Sequence, residues 1–402
     1  MSDISRQPLS RLVLEMNESA TIKMAQMGRD LKAKGFDVIN LSLGEPDFDT
    51  PEHIKSAAKT ALDNGYTKYT PVPGLQDLRE AIVRKFKRDN NLEFSPAQIV
   101  VSNGAKQSIA NICLAVLDPG DEVILFAPYW VSYYEIVKMA GGVPVEVYAG
   151  VEQDFKVSPE QVAGAISERT KAVIFSSPCN PTGSVYNQAE LEAIAEVLAP
   201  HPDILVVSDE IYEYINFTGN HASIGAIPSM KDRTATVNGF AKGYAMTGWR
   251  LGYMGAPRYL AEACAKIQGQ FTSGANSFSQ KAAVYALDAD LAPTWRMRDE
   301  FRHRRDIVIG LLEKIPGFKV NRPDGAFYSF PDISYYFGKS DGQMTIRSAD
   351  DFCEFLLLNA HVATVGGDAF GAPNCFRISY AASEEDLRKA IGRIAEALKR
   401  LN

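Results

Sequence analysis

The sequence predicts an α/β protein. A three-layer α/β/α large domain with a mostly parallel sheet spans 50–292, and a smaller α+β domain combines 1–49 with 293–402. Three observations predict this. Apolar runs of strand length (IVVS, EVILFA, AVIF, DILVV) alternate with stretches whose apolar residues recur at helical spacing. Small and polar residues that can bear chemistry cluster just after several of these runs, where the carboxyl ends of parallel strands lie in open α/β sheets. A chain of 402 residues with 46% apolar content can bury a large core, divided between two domains.

Taken in order, the chain starts polar and then reads as a helix from Glu18 to Lys34, stopped by Gly35. In LSLGEPDFDTPEHI, Gly44 and Pro46 break the backbone, and Thr50-Pro51 opens a helix with proline at its first position. Pro71, Pro73 and Gly74 exclude regular structure before the helical LQDLREAIVRKF. IVVSNGAKQSIANICLAVL reads as strand, glycine turn and helix, which aims free N–H groups at the turn, a ready site for phosphate. Gly104 and Ala105 stand there. Lys106 falls in the first helical turn, where a cation opposes the helix dipole by about 0.3–1 kcal/mol, so an anion nearby or plain solvation must account for it. DPGDEVILFAPYWVSY gives a turn, a buried strand and then Trp130, an indole placed to stack on a flat ring or to fill the core.

Strands VPVEV and AVIF bracket a helix from Pro159 to Ser167. In SSPCNPTG the strand ends at Ser176, and Pro178, Pro181 and Gly183 impose an irregular loop presenting the amide of Asn180. After a helix over 188–198, DILVVSDEIY places Asp209 at the carboxyl end of a parallel strand, with Tyr212 three residues on. A helix N-cap is the other role open to Asp209. FTSGANSFSQKAA (271–283) is small and polar ahead of a helix and suits an approach to a partner subunit. A helix from about Pro293 to Leu312 leads into the smaller domain. There Arg377 lies between Phe376 and Ile378, where a buried guanidinium needs a carboxylate, from this domain's own acids or from a ligand.

The chain is organised around TVNGFAKGYAMTGWRLG, residues 236–252. Lys242 sits among Gly239, Ala241, Gly243 and Ala245, which leave room for something flat beside its amine. A partly desolvated lysine loses its proton more easily and becomes a nucleophile towards carbonyls. Arg250, in a second glycine-rich turn, suits a phosphate. Amine and phosphate anchor together match the needs of pyridoxal 5′-phosphate.

The same stretch resembles the Schiff-base lysine segment of class I aminotransferases, the fold-type I pyridoxal phosphate enzymes. The similarity extends over nearly the whole chain and is greatest to the bacterial branch of aspartate and aspartate/prephenate aminotransferases. It implies that Lys242, Asp209 and Tyr212 are catalytic. Gly104, Ala105, Trp130, Asn180 and Arg250 would complete the cofactor site, with Tyr69 reaching the phosphate of a neighbouring subunit in a homodimer. It further implies that Gly44 and Arg377 take the substrate α-carboxylate beside Trp130 and Asn180. Lys106 and Thr21, in ESATIKM, would favour dicarboxylic substrates. One departure stands out: many relatives carry serine three residues before the lysine, and here Gly239 offers the phosphate no hydroxyl. The implied reaction is ping-pong transfer of an amino group between aspartate, glutamate or prephenate-type amino acids and 2-oxo acids. An aminotransferase for aromatic or neutral amino acids, or a carbon–sulfur lyase on the same fold, shares every cofactor residue.

Composition narrows the field. The net charge of −7 gives no basic footprint for nucleic acid. No apolar run approaches the roughly 18 residues of a membrane span. The first 25 residues, with Asp3, Arg6, Arg11, Glu15 and Glu18, lack a signal-peptide core. Five scattered cysteines without a CxxC pair fit a reducing cytoplasm, and five histidines without ligand spacing leave metal chemistry unexpected.

Overall fold

Strands that are apolar on both faces need cover on both sides, and that requirement sets the architecture. In the computed structural model, which describes residues 8–16, 18 and 20–402, seven strands form one sheet. In spatial order they are Ile99–Ser102, Gly252–Gly255, Thr234–Gly239, Leu205–Asp209, Thr170–Ser176, Glu122–Ala127 and Val143–Tyr148. The last five run parallel, whereas Gly252–Gly255 is antiparallel to both its neighbours.

Along Glu122–Ala127, Val123 and Leu125 join Ile109, Ile112 and Leu260 on one face, while Ile124 and Phe126 join Val162, Leu191 and Ile194 on the other. Helices Ala105–Val116, Ser132–Met139 and Arg258–Phe271 cover the first face; Pro159–Ala165 and Gln188–Leu198 cover the second. Each such side chain contributes about 1.5–3 kcal/mol when buried. A one-residue slip in pairing would exchange the two sets, so burial also fixes register. This is the three-layer α/β/α arrangement expected from the sequence. Val143–Tyr148 is one of the two edge strands, mostly accessible, and Pro144 is tolerated there because no further strand needs its missing donor.

A second group of elements joins the two ends of the chain. Ile39–Asn40 pairs in parallel with Val362–Ala363. Phe376–Ser379 lies between Val365–Gly366 and Tyr328–Ser329, antiparallel to both. Met24, Val38, Ile39 and Leu41 share a core with residues from the long helix Ala292–Leu312 and from Ala349–Asn359 and Glu384–Leu398. Among the described residues, no helix is long and apolar enough to cross a membrane.

Three boundaries differ from expectation. The first long helix runs Ala20–Ala33, after a short turn of helix at Arg11–Glu15. Pro51 is the N-cap of the helix Glu52–Asp63, with ψ 139°, rather than its first residue. The incoming chain is held extended because the Thr50 hydroxyl donates to the Ala245 carbonyl (2.6 Å) and accepts from the Trp249 indole (3.0 Å). The helix from Pro159 ends at Ala165, and Ser167 instead donates its hydroxyl to Glu122.

Candidate active site

Four parallel strands point their carboxyl ends the same way; Asp209 closes one of them, and the segments after the other three carry Trp130, Asn180 and Lys242. They line a cavity of about 360 Å³. Gly104, Ala105, Lys106 and Arg250 close it on the large-sheet side; Gly44, Arg377 and Thr21 close it from the other core. Tyr212 completes the set. Of the site residues expected from sequence, only Tyr69 stands apart, at 99% exposure.

Lys242 follows the strand Thr234–Gly239 and donates from Nζ to the Gly44 carbonyl. The ammonium also lies 5.6 Å from the Tyr212 ring centre and 5.7 Å from that of Phe327. Burial pushes its pKa down to about 8; Arg377 and Arg250 act in the same sense, and Glu45 and Asp209 oppose them. The free amine is therefore within reach just above neutrality, as a carbonyl-directed nucleophile and proton carrier requires.

Asp209 ends its strand fully enclosed. Burial raises its carboxyl to about 6, against hydrogen bonds from the Tyr133 hydroxyl (2.6 Å) and the Ile211 N–H (3.2 Å). It is ionised at neutral pH, and a cation beside it would hold it so more firmly. The Tyr212 hydroxyl bonds that of Tyr328 at 2.7 Å, and burial first, then Tyr328, keep Tyr212 protonated well above the ordinary tyrosine range.

Arg377 is buried at 2% exposure. Nη1 donates to Asn180 Oδ1 (2.8 Å) and Nη2 to the Ser42 carbonyl (2.6 Å), leaving Nε buried with no partner among the described residues. A guanidinium only donates, so the oxygen of Asn180 must face it and the NH₂ group turns away. The Tyr328 ring lies 4.6 Å from the guanidinium carbon. Gly44 is required here, since a Cβ would come within 2.3 Å of the Tyr328 hydroxyl oxygen.

The opposite end is built by close backbone approach. Gly104 precedes the helix Ala105–Val116 with φ 88°, and the first N–H groups of that helix have no intrahelical partner. A Cβ on Gly252 would lie 2.3 Å from Ala105 N. Arg250 adopts a left-handed backbone, φ 54°, a conformation that costs a non-glycine residue about 1–3 kcal/mol, and its Nη1 donates to the Thr247 carbonyl (3.0 Å). Gly239 now has a cause: a Cβ there would meet Gly252 Cα at 2.9 Å across the strand pair, so no serine fits without moving the backbone. Lys106 projects into the cavity with Nζ 4.9 Å from the Trp130 ring centre; burial, then Arg250, lower its pKa.

Sequence reasoning missed Tyr133, Tyr328 and the pair in which Thr247 donates its hydroxyl to Glu45. Tyr133 had a signal, three residues after Trp130 and at the start of a helix. Tyr328, inside GAFYSF, carries no local signal of its role. Among the described residues the cavity wall carries four cations (Lys106, Lys242, Arg250, Arg377) against two carboxylates (Glu45, Asp209), so it is built for anions.

A family model described as aminotransferase class I and II matches residues 37–394. The chain belongs to that family. A bifunctional aspartate aminotransferase and glutamate/aspartate-prephenate aminotransferase from Petunia hybrida is 48% identical over 97% of this chain and 82% of its own length. The aspartate/prephenate aminotransferase of Nitrosomonas europaea is 45% identical over 97% of this chain and 99% of its own. Among solved structures, the aspartate aminotransferase from Rhizobium meliloti superposes with TM-score 0.95 at 42% identity, covering 98% of this chain and all of that one. That of Thermus thermophilus with maleate superposes with TM-score 0.92 at 44% identity, covering 98% of this chain and 100% of that one.

This aminotransferase uses pyridoxal 5′-phosphate, moving amino groups between amino acids and 2-oxo acids. The donor set fits that cofactor. The glycine-lined helix N-terminus with Arg250 accepts a phosphate, an amine stands ready for an aldehyde, and an enclosed carboxylate stands ready for a ring nitrogen. The unpartnered Nε of Arg377 leaves a donor for a substrate carboxylate.

Proposed function

We propose that this aminotransferase works on dicarboxylic substrates: aspartate, glutamate and prephenate or its amino product, with oxaloacetate and 2-oxoglutarate as keto partners. One observation carries the reading. Besides Arg377 and the groups assigned to the cofactor, Lys106 places a further cation in a cavity for small amino acids, and among the described residues no acid pairs with it. A lysine in the first turn of a helix opposes the dipole by about 0.3–1 kcal/mol, a cost that a bound anion offsets. The activities for which the Petunia and Nitrosomonas relatives are named, and the maleate in the Thermus structure, point the same way.

When bound, the cofactor supplies an electron sink for charge developing at the substrate α-carbon. The chain's residues do the rest. Lys242 takes and returns the proton at that carbon, as general base and then acid. Asp209 would hold a positive charge on the ring nitrogen, Asn180 and Tyr212 would serve the ring hydroxyl, and Trp130 would lie against the ring. Arg377 and the Gly44 N–H hold the α-carboxylate, and Thr21 with Lys106 meets the distal one.

Lys106→Ala tests the substrate class. Lys106 is exposed in the open cavity; where a bound distal carboxylate buries the contact, losing it costs about 2–5 kcal/mol, so kcat/KM for aspartate and prephenate drops at least about tenfold, while alanine and phenylalanine are nearly unaffected. An equal loss for all donors assigns Lys106 to the cofactor and removes the dicarboxylate reading.

The functional unit we propose is a C2 homodimer. Tyr69 is almost wholly exposed, and an open recess of about 650 Å³ flanks Arg250, bounded by Glu45, Thr247, Asn276 and Ser279. A partner's tyrosine fills it and bonds the phosphate. Tyr69→Phe then weakens cofactor binding by about 0.5–3 kcal/mol. A fully active monomer in sedimentation at assay concentration ends the dimer proposal. The partition of cores supports domains of 50–292 and of 1–49 with 293–402, and five buried, unpaired cysteines support a cytoplasmic setting.

A further inference from the structure

The turn after the strand Leu205–Asp209 has two faces. Asp209 and Tyr212 look into the cavity, while Glu210 and Glu213, each one residue later, look the other way into the large domain. The Glu213 N–H closes this turn on the Glu210 carbonyl at 2.9 Å. Behind it lies a cluster of charged and polar groups. Lys85, wholly buried on the helix Gln76–Asn90, pairs its ammonium with Glu213 and donates to Asn90 Oδ1 (2.7 Å). Asn90 Nδ2 bridges Glu210 and Glu213, both at 2.8 Å. Glu210 also accepts from Ser208 (2.9 Å) and Ser223 (2.6 Å), and meets His221 Nε2 at 2.8 Å.

Buried ion pairs add little net stability compared with apolar residues of the same volume, so stability does not explain five such groups here. Nor is a metal called for. Donor atoms of Glu210, Glu213 and His221 lie within 4.8 Å of one another, but the Lys85 ammonium already supplies the cation and Asn90 spans the two carboxylates. We infer that this cluster is a positioning device for Asp209 and Tyr212, in which His221 supplies the charge that balances Glu210 directly behind the catalytic carboxylate. With His221 charged, the two cations and two carboxylates cancel; without that charge, a net negative group stands beside Asp209.

The surroundings agree. Burial lowers the pKa of His221, but the charge and hydrogen bond of Glu210, then Glu213, outweigh it and raise it above the ordinary histidine value, with Lys85 opposing. Burial alone would raise Glu210, yet His221, Ser223 and Lys85 bring it below the usual range. From other elements, Asp89, Tyr214 and Arg298 line the small recess of about 160 Å³ onto which His221 opens. Asp209 is faced by Tyr133, Glu210 and Lys242. Because Glu210 raises Asp209, the balance of the cluster sets how readily Asp209 ionises.

The inference rests on Asp209 being the ring-nitrogen partner. The readout is release of pyridoxal phosphate from the diluted holoenzyme between pH 5 and 8, where protonation of Asp209 weakens binding on the acid side. His221→Gln keeps a hydrogen-bond donor but removes the charge, and moves the midpoint of that acid limb up by about half a pH unit or more. Glu210→Gln removes the negative charge and moves it down, and the double variant returns towards the parent. A cluster that only supports the fold gives losses of one sign, without opposed midpoints; that result, or unmoved midpoints, overturns the inference. Should His221→Gln not accumulate folded, the downward shift in Glu210→Gln decides alone. Asp209→Asn is the control: an acid limb that survives in it refutes the role of Asp209 itself, whereas a limb lost there but unmoved in the other variants refutes only the cluster's part.

Discussion

Replacing Lys242 by alanine leaves a folded protein that still takes up pyridoxal phosphate but turns over about a thousandfold more slowly or worse. Two losses combine: a positioned nucleophile and a proton carrier at the substrate α-carbon, each of which contributes orders of magnitude. Folding survives because the amine holds only the Gly44 carbonyl, which water can satisfy once the side chain is removed. Binding survives because Arg250 and the N-terminus of the helix Ala105–Val116 are untouched. Borohydride reduction followed by peptide mapping checks the assignment: label at Lys242 in the parent and none in the variant. Label retained on another lysine would overturn it.

Arg377→Met comes next in size, and its signature differs from that of Lys106→Ala. The guanidinium is buried, bonded to Asn180 and Ser42, with Nε unpartnered. Truncating one member of a buried charge contact costs about 2–5 kcal/mol, which is roughly thirtyfold to several-thousandfold in kcat/KM. The loss falls on every amino donor alike, because all carry an α-carboxylate. Asn180 Oδ1 also loses its donor, costing about 1–3 kcal/mol of stability if it stays unsatisfied. Steady-state kinetics on aspartate, alanine and phenylalanine, beside a melting curve, separates the two effects. A loss confined to dicarboxylic donors would exchange the roles of Arg377 and Lys106.

The site was legible where it follows the chain's local grammar. Asp209 stands at the end of a run of apolar strand residues, Lys242 stands among small residues with Arg250 eight positions on, and Gly104 stands at a strand-to-helix turn. Partners that arise from tertiary packing were not legible. Tyr133 meets Asp209 and Tyr328 meets Tyr212 only because separate elements converge, and no spacing within GAFYSF betrays that contact. Gly239 was visible as a departure, but its cause lay on the neighbouring strand at Gly252. Pro51 missed its expected position because Ala245 and Trp249, far along the chain, hold Thr50.

The pairing of Ile39–Asn40 with Val362–Ala363 bears on how the chain is made. During synthesis, the strands and helices from Glu52 to Asp288 emerge with all their sheet partners and can close while the ribosome is still at work. Met24, Val38 and Leu41 emerge first, yet their packing partners on Ala349–Asn359 and Glu384–Leu398 are translated last. Through most of translation these apolar residues lack much of the core that covers them in the finished fold. Arg377 and Gly44 reach the cavity from these same late-joining pieces, so the cofactor's half of the pocket can exist before the half that grips substrate.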